Sequence, residues 1–245
     1  MKVEVIRTKK LLPPKDDLYV AIRQSIKNLP ERSVVVVTSK IVAIHQGRCV
    51  KIRPGVDRDK LTEQEADLYI RRDIVPGEHL LFSIKNNTLI ASAGIDKSNA
   101  NGYFVLWPEN MDEVVRGLHG WFMNEYGVKE VGVLMTDSHV VPLRRGVVGT
   151  CLAQYGFNPL RDYIGRPDIF GEPLKVTVTN VAEALAAAAV VVMGEASEQT
   201  PLAVITDVPW LEFSEKRVDT KIPMEEDLFR PMFEGVKWKK GKGGR

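Results

Sequence analysis

Three acidic residues stand directly after apolar segments, where a strand or a helix is expected to end. Asp96 follows the sequence AGI, Asp137 follows VLMT, and Glu195 follows MG. Carboxylates at the ends of buried elements can converge on a cleft, and hard divalent cations such as Mg²⁺ take oxygen ligands. Ser138 adds a neutral oxygen beside Asp137. Asp and Ser also favour caps and turns, so one such residue alone indicates only a turn. The recurrence of three favours a shared metal site.

Two further segments have residue types that suit anions. Ser39 and Lys40 leave an apolar strand, and such a turn presents backbone N–H groups beside a lysine charge, which suits a phosphate. Arg144 and Arg145 follow Asp137 closely and predict bidentate contacts to a carboxylate or phosphate, although a solvated loop would have the same composition. The chain contains neither GxxxxGK[ST] nor GxGxxG, which excludes a P-loop and a dinucleotide-binding turn.

The elements that would position these residues are strands at residues 33–38, 88–93 and 131–135, and an Ala-rich helix at residues 181–193. Residues 80–84 and 88–93 flank three polar residues and predict a hairpin. Thr62 and Glu65 form a capping box that predicts a helix towards Ile74. Because strands and helices alternate irregularly, the pattern indicates an α/β (α+β) fold with mixed sheets and flanking helices.

Length and composition are those of an ordinary globular protein. The chain has 245 residues, 44% of them hydrophobic and 27% charged, which excludes collagen-like, coiled-coil and wholly disordered classes. The N-terminal sequence MKVEVIRTKK lacks the apolar core of a signal peptide, and no apolar stretch approaches the roughly 20 residues of a membrane span. We therefore expect a cytoplasmic protein without a membrane partner.

Charge is distributed unevenly along the chain. The net charge is +2, but residues 237–245 contain five basic and no acidic residues. This composition predicts a basic, flexible tail, and we do not expect it to bind nucleic acid. Residues 1–206 are predicted to form the functional domain, with residues about 85–165 as an inserted subdomain. Residues 207–236, where the apolar pattern loosens, are predicted to be a peripheral segment.

Several of these segments together resemble one known family. They are Ala93-Gly94-Ile95-Asp96-Lys97-Ser98-Asn99, Thr136-Asp137-Ser138, Arg144-Arg145-Gly146-Val147-Val148-Gly149, Asp162-Tyr163-Ile164-Gly165-Arg166-Pro167-Asp168 with Phe170-Gly171, and Met193-Gly194-Glu195 leading to Thr200-Pro201. In this order they resemble the coenzyme F420-0:L-glutamate ligases, the CofE-type γ-glutamyl ligases. The resemblance covers roughly residues 3–206.

The resemblance implies a GTP-dependent acid–amino-acid ligase with a CofE-like fold and interwoven subunits in a homodimer. In that family GTP phosphorylates an acceptor carboxylate, and the amine of L-glutamate attacks the acyl phosphate. The resemblance further implies two Mg²⁺ or Mn²⁺ ions, with K⁺ as a candidate additional ion.

Motif matching also assigns site residues. The metal ligands would be Asp96, Asp137, Ser138 and Glu195, and the catalytic residues would be Asp137 and Arg144. The residues assigned to the nucleotide are Ser39, Lys40, Asn99, Met193, Gly194, Ala196, Ser197, Glu198, Gln199 and Thr200.

The chain departs from the family pattern near the second aspartate. The family has Gly-Arg soon after Thr-Asp-Ser, whereas this chain has Val140-Val141. The missing arginine leaves two acceptors open, the deazaflavin precursor of coenzyme F420 and a pterin-like folate extended by γ-linked glutamate. From other classes, a metal-dependent nucleotide phosphohydrolase and a binding protein acting through the basic tail remain alternatives.

Overall fold

The computed structural model of the chain describes residues 1–75 and 80–244. The helices are α1 (Leu18–Ser25), α2 (Ser39–Gln46), α3 (Arg58–Glu65), α4 (Met111–Tyr126), α5 (Val181–Met193) and α6 (Arg230–Glu234). The strands are β1 (Lys2–Ile6), β2 (Ser33–Thr38), β3 (Cys49–Lys51), β4 (Leu68–Tyr69), β5 (Phe82–Lys85), β6 (Thr88–Ala91), β7 (Tyr103–Val105), β8 (Val131–Val140), β9 (Val147–Tyr155), β10 (Leu160–Asp162), β11 (Val178–Asn180), β12 (Leu202–Thr206) and β13 (Lys239–Lys240). None of the described helices is long and apolar enough to cross a membrane.

A five-stranded mixed sheet forms the centre of the molecule, in the order β1-β12-β2-β8-β9. Only β2 and β8 pair in parallel; the other neighbours are antiparallel. Side chains alternate between the faces of a strand, so the four valines of β2 serve two cores. Val35 and Val37 pack with α1, α2 and α4, whereas Val34 and Val36 pack with α5. The mixed α/β architecture expected from the sequence is confirmed.

The β8–β9 pair is irregular next to Asp137. The register shifts between Met135 and Thr136, which marks a bulge close to the candidate site. Glu183 of α5 stabilises this place, because its Oε2 accepts hydrogen bonds from Thr150 Oγ1 and from the Cys151 backbone N–H, both at 3.0 Å. These two hydrogen bonds therefore fix α5 to the part of β9 that pairs with Thr136 and Asp137 of β8.

A smaller antiparallel sheet, in the order β13-β4-β5-β6, leads into the segment that carries Asp96. Its β5–β6 pair is the hairpin that the sequence predicts. After β6 the chain makes a 3-10 turn at Ser92–Gly94 and reaches Asp96, whose backbone forms an isolated bridge with Val105 at the end of β7. This bridge ties Asp96 to the ribbon formed by β3 and β7.

One local prediction is wrong, and the C-terminal residues make contacts that the sequence does not predict. The helix predicted from Thr62 to Ile74 instead covers Arg58–Glu65, because Asp57 provides the N-cap by accepting from the N–H groups of Asp59 and Lys60. Residues 237–244 are not detached: β13 pairs with β4, and Trp238 stacks on Phe82 with ring centroids 6.4 Å apart. Arg245, the last residue of the predicted tail, lies outside the described residues.

Within the residues predicted as an inserted subdomain, β8 and β9 belong to the five-stranded sheet and share it with β1, β2 and β12. The peripheral segment runs along the outer edge of β9, where Gln154 donates to the carbonyl of Val218 at 3.1 Å. It therefore covers part of the edge that the sheet would otherwise leave open.

Candidate active site

The predicted site residues line one large cavity of about 1050 Å³ between the two sheets and the loop after α5. Those that line it are Ser39, Lys40, Asp96, Asn99, Asp137, Ser138, Met193, Gly194, Glu195, Ala196, Ser197, Glu198, Gln199 and Thr200. Arg144 is the exception: it is exposed on the β8–β9 connection, where its Nη1 donates to the carbonyl of Leu143 at 3.0 Å. The structure thus brings the metal and nucleotide candidates together and leaves Arg144 outside.

Asp137 extends from the interior of the sheet into this cavity. Trp107 Nε1 donates to its Oδ2 at 2.5 Å, and the backbone N–H of Ser138 donates to its Oδ1 at 2.8 Å. Burial raises the pKa of Asp137 to about 6, although both hydrogen bonds act in the opposite direction. A carboxylate whose charge is this poorly solvated gains strongly from a nearby cation.

Asp96 already has a cationic neighbour. Lys40 Nζ lies 2.6 Å from Asp96 Oδ2 and donates at 3.0 Å to Ser98 Oγ, whose hydroxyl also donates to Asp96. Burial acts to raise the pKa of Asp96, but Lys40 and Ser98 together hold it below its usual value. Asp96 is therefore ionised and paired with a lysine at the start of α2.

The loop after α5 is fixed by its own hydrogen bonds. Gly194 has φ +79°, and a Cβ there would lie 2.6 Å from the Glu198 side chain, so the turn requires glycine. Glu198 accepts from the Ala196 N–H at 2.8 Å, and Asn99 donates to the Ala196 carbonyl at 2.7 Å. These contacts bind the loop to the segment that carries Asp96.

Glu195 lies in this loop and contacts Ser138 at the end of β8. Ser138 Oγ donates to Glu195 Oε1 at 2.5 Å, so the carboxylate approaches the end of β8 beside Asp137. Among the described residues, no group of three or more His, Cys, Asp and Glu side chains lies close enough to hold a metal ion together. The donor chemistry of three carboxylates and a hydroxyl nevertheless fits Mg²⁺ or Mn²⁺, with Lys40 supplying the positive charge at Asp96.

Sequence reasoning missed one wall of the cavity. Residues 7–13 line it and bring three basic side chains, those of Arg7, Lys9 and Lys10. Thr8 fastens this wall to the loop after α5, because its N–H donates to the Gln199 carbonyl and its own carbonyl accepts from Gln199 Nε2. A local signal for this wall exists in the sequence, as the basic cluster that directly follows β1.

The model of the F420-0:gamma-glutamyl ligase family matches residues 6–207. The chain belongs to this family. The match includes every residue of the cavity wall and ends one residue after β12. Residues 208–245 lie outside the family match; they include Val218, which accepts from Gln154 of β9, and β13, which pairs with β4.

Similar proteins from archaea carry the name coenzyme F420:L-glutamate ligase. The protein from Methanopyrus kandleri is 30% identical over 221 residues, which cover 83% of this chain and 86% of the relative. That from Archaeoglobus fulgidus is 30% identical and covers 84% of this chain and 88% of the relative. That from Methanocaldococcus jannaschii is 36% identical over 153 residues, 62% of this chain and 60% of the relative.

Proposed function

We propose that this chain is a ligase that uses GTP to add L-glutamate to the deazaflavin precursor of coenzyme F420 through an acyl phosphate. The observation that carries the proposal is the convergence of Asp96, Asp137 and Glu195 on one cavity with the loop at residues 193–200. Family membership supports the ligase chemistry, and the relatives' names support glutamate and the F420 precursor as substrates.

Asp96, Asp137, Ser138 and Glu195 would hold two Mg²⁺ or Mn²⁺ ions. Bound there, the ions would neutralise the nucleotide phosphates and the charge that develops during phosphoryl transfer. In the first step an oxygen of the acceptor carboxylate attacks the γ-phosphorus of GTP, and GDP leaves. In the second step the glutamate amine attacks the acyl carbon, phosphate leaves, and an amide forms after the amine loses a proton.

The nucleotide is held, in this proposal, by Ser39 and Lys40 at the start of α2, by Asn99 and by the loop at residues 193–200. Lys40 would turn its ammonium from Asp96 to a phosphate once cations occupy the carboxylates. The fixed loop offers backbone donors at little entropic cost, because its hydrogen bonds to Glu198 and Asn99 already define its shape. We retain K⁺ as a candidate additional ion near the phosphates.

The cavity has room for more than a nucleotide. Its volume of about 1050 Å³ is at the upper end of typical small-molecule sites and suits a nucleotide with an acceptor beside it. Val140 and Val147 line the wall near the β8–β9 connection, where the family pattern has an arginine nearby. This apolar wall favours a second candidate acceptor, a reduced folate, which lacks the phosphodiester of the deazaflavin precursor.

We also propose that the protein acts as an interwoven homodimer. The supporting feature is the arm at residues 160–180, defined by β10, β11 and the chain between them. Ile169, Phe170 and Val176 on this arm are exposed by 92%, 85% and 84%. Large apolar side chains exposed together on one segment favour a surface that a partner covers.

An acceptor screen tests the proposed function. The purified protein is incubated with GTP, Mn²⁺, K⁺ and L-glutamate, with either the deazaflavin precursor or a reduced folate, and products are read by mass. A gain of one glutamyl residue on the deazaflavin is expected. Glutamylation of the folate alone would assign the second candidate. GTP hydrolysis that needs neither acceptor nor glutamate would instead support a nucleotide phosphohydrolase.

A further inference from the structure

Trp107 contacts both segments that carry the aspartates. It is only 1% exposed, and its indole N–H donates to Asp137 Oδ2 at 2.5 Å. The same ring lies against Gly94, two residues before Asp96, where a Cβ would come within 2.0 Å of Nε1. Gly94 also has φ +74°, so both the ring and the backbone require glycine here.

The backbone that carries Trp107 is paired with Asp96 itself. Asp96 N–H donates to the Val105 carbonyl at 3.1 Å, and Val105 N–H donates back to the Asp96 carbonyl at 2.8 Å. Two residues later the Trp107 side chain reaches Asp137. The segment from Val105 to Trp107 therefore connects one aspartate through its main chain and the other through a side chain.

Arg48 restrains this segment from behind. Its Nε donates to the Trp107 carbonyl at 3.2 Å, and its own carbonyl accepts from the Leu106 N–H at 2.9 Å. The guanidinium is paired in turn with the buried Glu65 at 2.6 Å, a carboxylate that also receives Lys85. A tryptophan held at both its backbone and its ring has little freedom to change the position of its N–H.

We propose that Trp107 is a positioning residue that orients the Asp137 carboxylate towards a divalent cation and sets its place relative to Asp96. The inference rests on the proposed function, because it takes Asp137 as a ligand. One donor on each carboxylate oxygen, Trp107 on Oδ2 and the Ser138 N–H on Oδ1, fixes the plane of the group and leaves a lone pair on each oxygen. Such outer partners of metal ligands typically contribute about 10- to 100-fold to metal affinity.

Calorimetric titration of the full chain with Mn²⁺ in the presence of GDP tests this. Trp107→Phe keeps a buried ring but loses the N–H, and it is expected to bind Mn²⁺ at least tenfold more weakly. Trp121→Phe is the matched control, since Trp121 packs on Tyr19 and Arg23 away from both aspartates. Raising Mn²⁺ should restore turnover of Trp107→Phe, which a loss of packing alone would not allow. Unchanged Mn²⁺ affinity would overturn the proposal.

A second measurement observes the Trp107 N–H in the wild type, and the variant serves only to assign its resonance. The chain has four tryptophans, so the ¹⁵N-labelled wild type shows four indole N–H resonances, and Trp107→Phe identifies one of them. Adding Mg²⁺ with GDP is expected to shift the Trp107 resonance more than the other three. An unmoved Trp107 resonance under calorimetrically confirmed binding would refute the inference alone. Failure of the wild type to ligate glutamate would refute the proposed function, while the resonance still decides the role of Trp107.

Discussion

The carboxylate of Asp137 combines poor solvation with a place at the cavity wall, which makes it sensitive to loss of charge. Asp137→Asn keeps the shape of the side chain but offers no anionic oxygen, so ligation and Mn²⁺ binding are expected to fall below detection. Folding should be retained, because an amide has no charge to desolvate and its carbonyl still accepts from Trp107. Mass-detected ligation and circular dichroism measured in parallel check this. Near-wild-type turnover would remove Asp137 from the metal site.

Lys40 lies next to Asp96, so its ammonium competes with a divalent cation for this carboxylate. Lys40→Gln removes this competitor, so Mn²⁺ is expected to bind more tightly in the absence of nucleotide. GDP should bind about tenfold more weakly, because a charge-assisted phosphate contact is lost. Titration calorimetry with each ligand separates the two effects, with Lys27→Gln, on the exposed surface after α1, as control. A variant that weakens both ligands alike would contradict the pairing argument.

At the scale of elements, the C-terminal strand changes the expected outcome of a truncation. Composition predicts that residues 237–245 can be removed without effect, but Trp238 stacks on Phe82, and its N–H donates to the Phe233 carbonyl at 2.9 Å. Trp238→Ala is therefore expected to cost about 1–2 kcal/mol, a Tm decrease of about 2–8 °C in a chain of this size. Thermal unfolding checks this, with the exposed Lys237→Ala as control. Equal Tm values for the wild type and Trp238→Ala would show that the C-terminal segment does not contribute to stability.

Helix α4 carries a histidine that links stability to pH. His119 is buried against Tyr155, and burial lowers its pKa, with Glu215 acting in the opposite direction. The unfolded chain then binds a proton more readily than the folded protein, so the free energy of unfolding should fall as the pH drops below about 6.5.

His119→Gln is expected to show a flatter stability curve between pH 7 and pH 5.5, measured by urea unfolding at several pH values. The difference between wild type and variant at each pH isolates this histidine from the carboxylates, including Asp137, whose pKa is about 6. His139→Gln, on the partly exposed end of β8, serves as control. Parallel curves for wild type and His119→Gln would show that His119 does not contribute.

Elements with one strong local signal could be predicted from the sequence, and those that depend on distant partners could not. The β5–β6 hairpin forms where the sequence predicts it, and the strand before Asp137 is present, although it continues to Val140. Strand β9 was missed because it contains Gly149, whose bare Cα permits contact with α5: a Cβ there would lie 2.4 Å from the Ala186 carbonyl. That requirement exists only in the folded protein.

The same distinction applies to the site. The carboxylates were recognised because each follows an apolar segment, whereas Trp107 has no local pattern that connects it with Asp137, thirty residues later. Arg144 illustrates the opposite case. Its motif matches the family, but in this chain the side chain lies outside the cavity and contacts its neighbour's carbonyl. Spacing therefore identifies which residues suit the chemistry, and only the fold determines which of them meet.

At the scale of the whole molecule, the arm at residues 160–180 presents apolar side chains from a preformed structure. β10 and β11 pair at its base, and near its tip Asp168 accepts from the backbone N–H groups of Phe170 and Glu172 at 2.8 and 3.0 Å. A second copy that covers this arm would bury Ile169 and Phe170 without paying to order it.

The double variant Ile169→Glu, Phe170→Glu should therefore separate the proposed dimer, because two carboxylates would have to be buried without partners at the interface. Sedimentation analysis is expected to give a dimer for the wild type and a monomer for the variant at the same concentration. Leu228→Glu is the control: Leu228 is 87% exposed just before α6, outside the arm, and its variant should remain dimeric. A wild type that sediments as a monomer, or a double variant that stays dimeric, would mean that the arm is not the contact between copies.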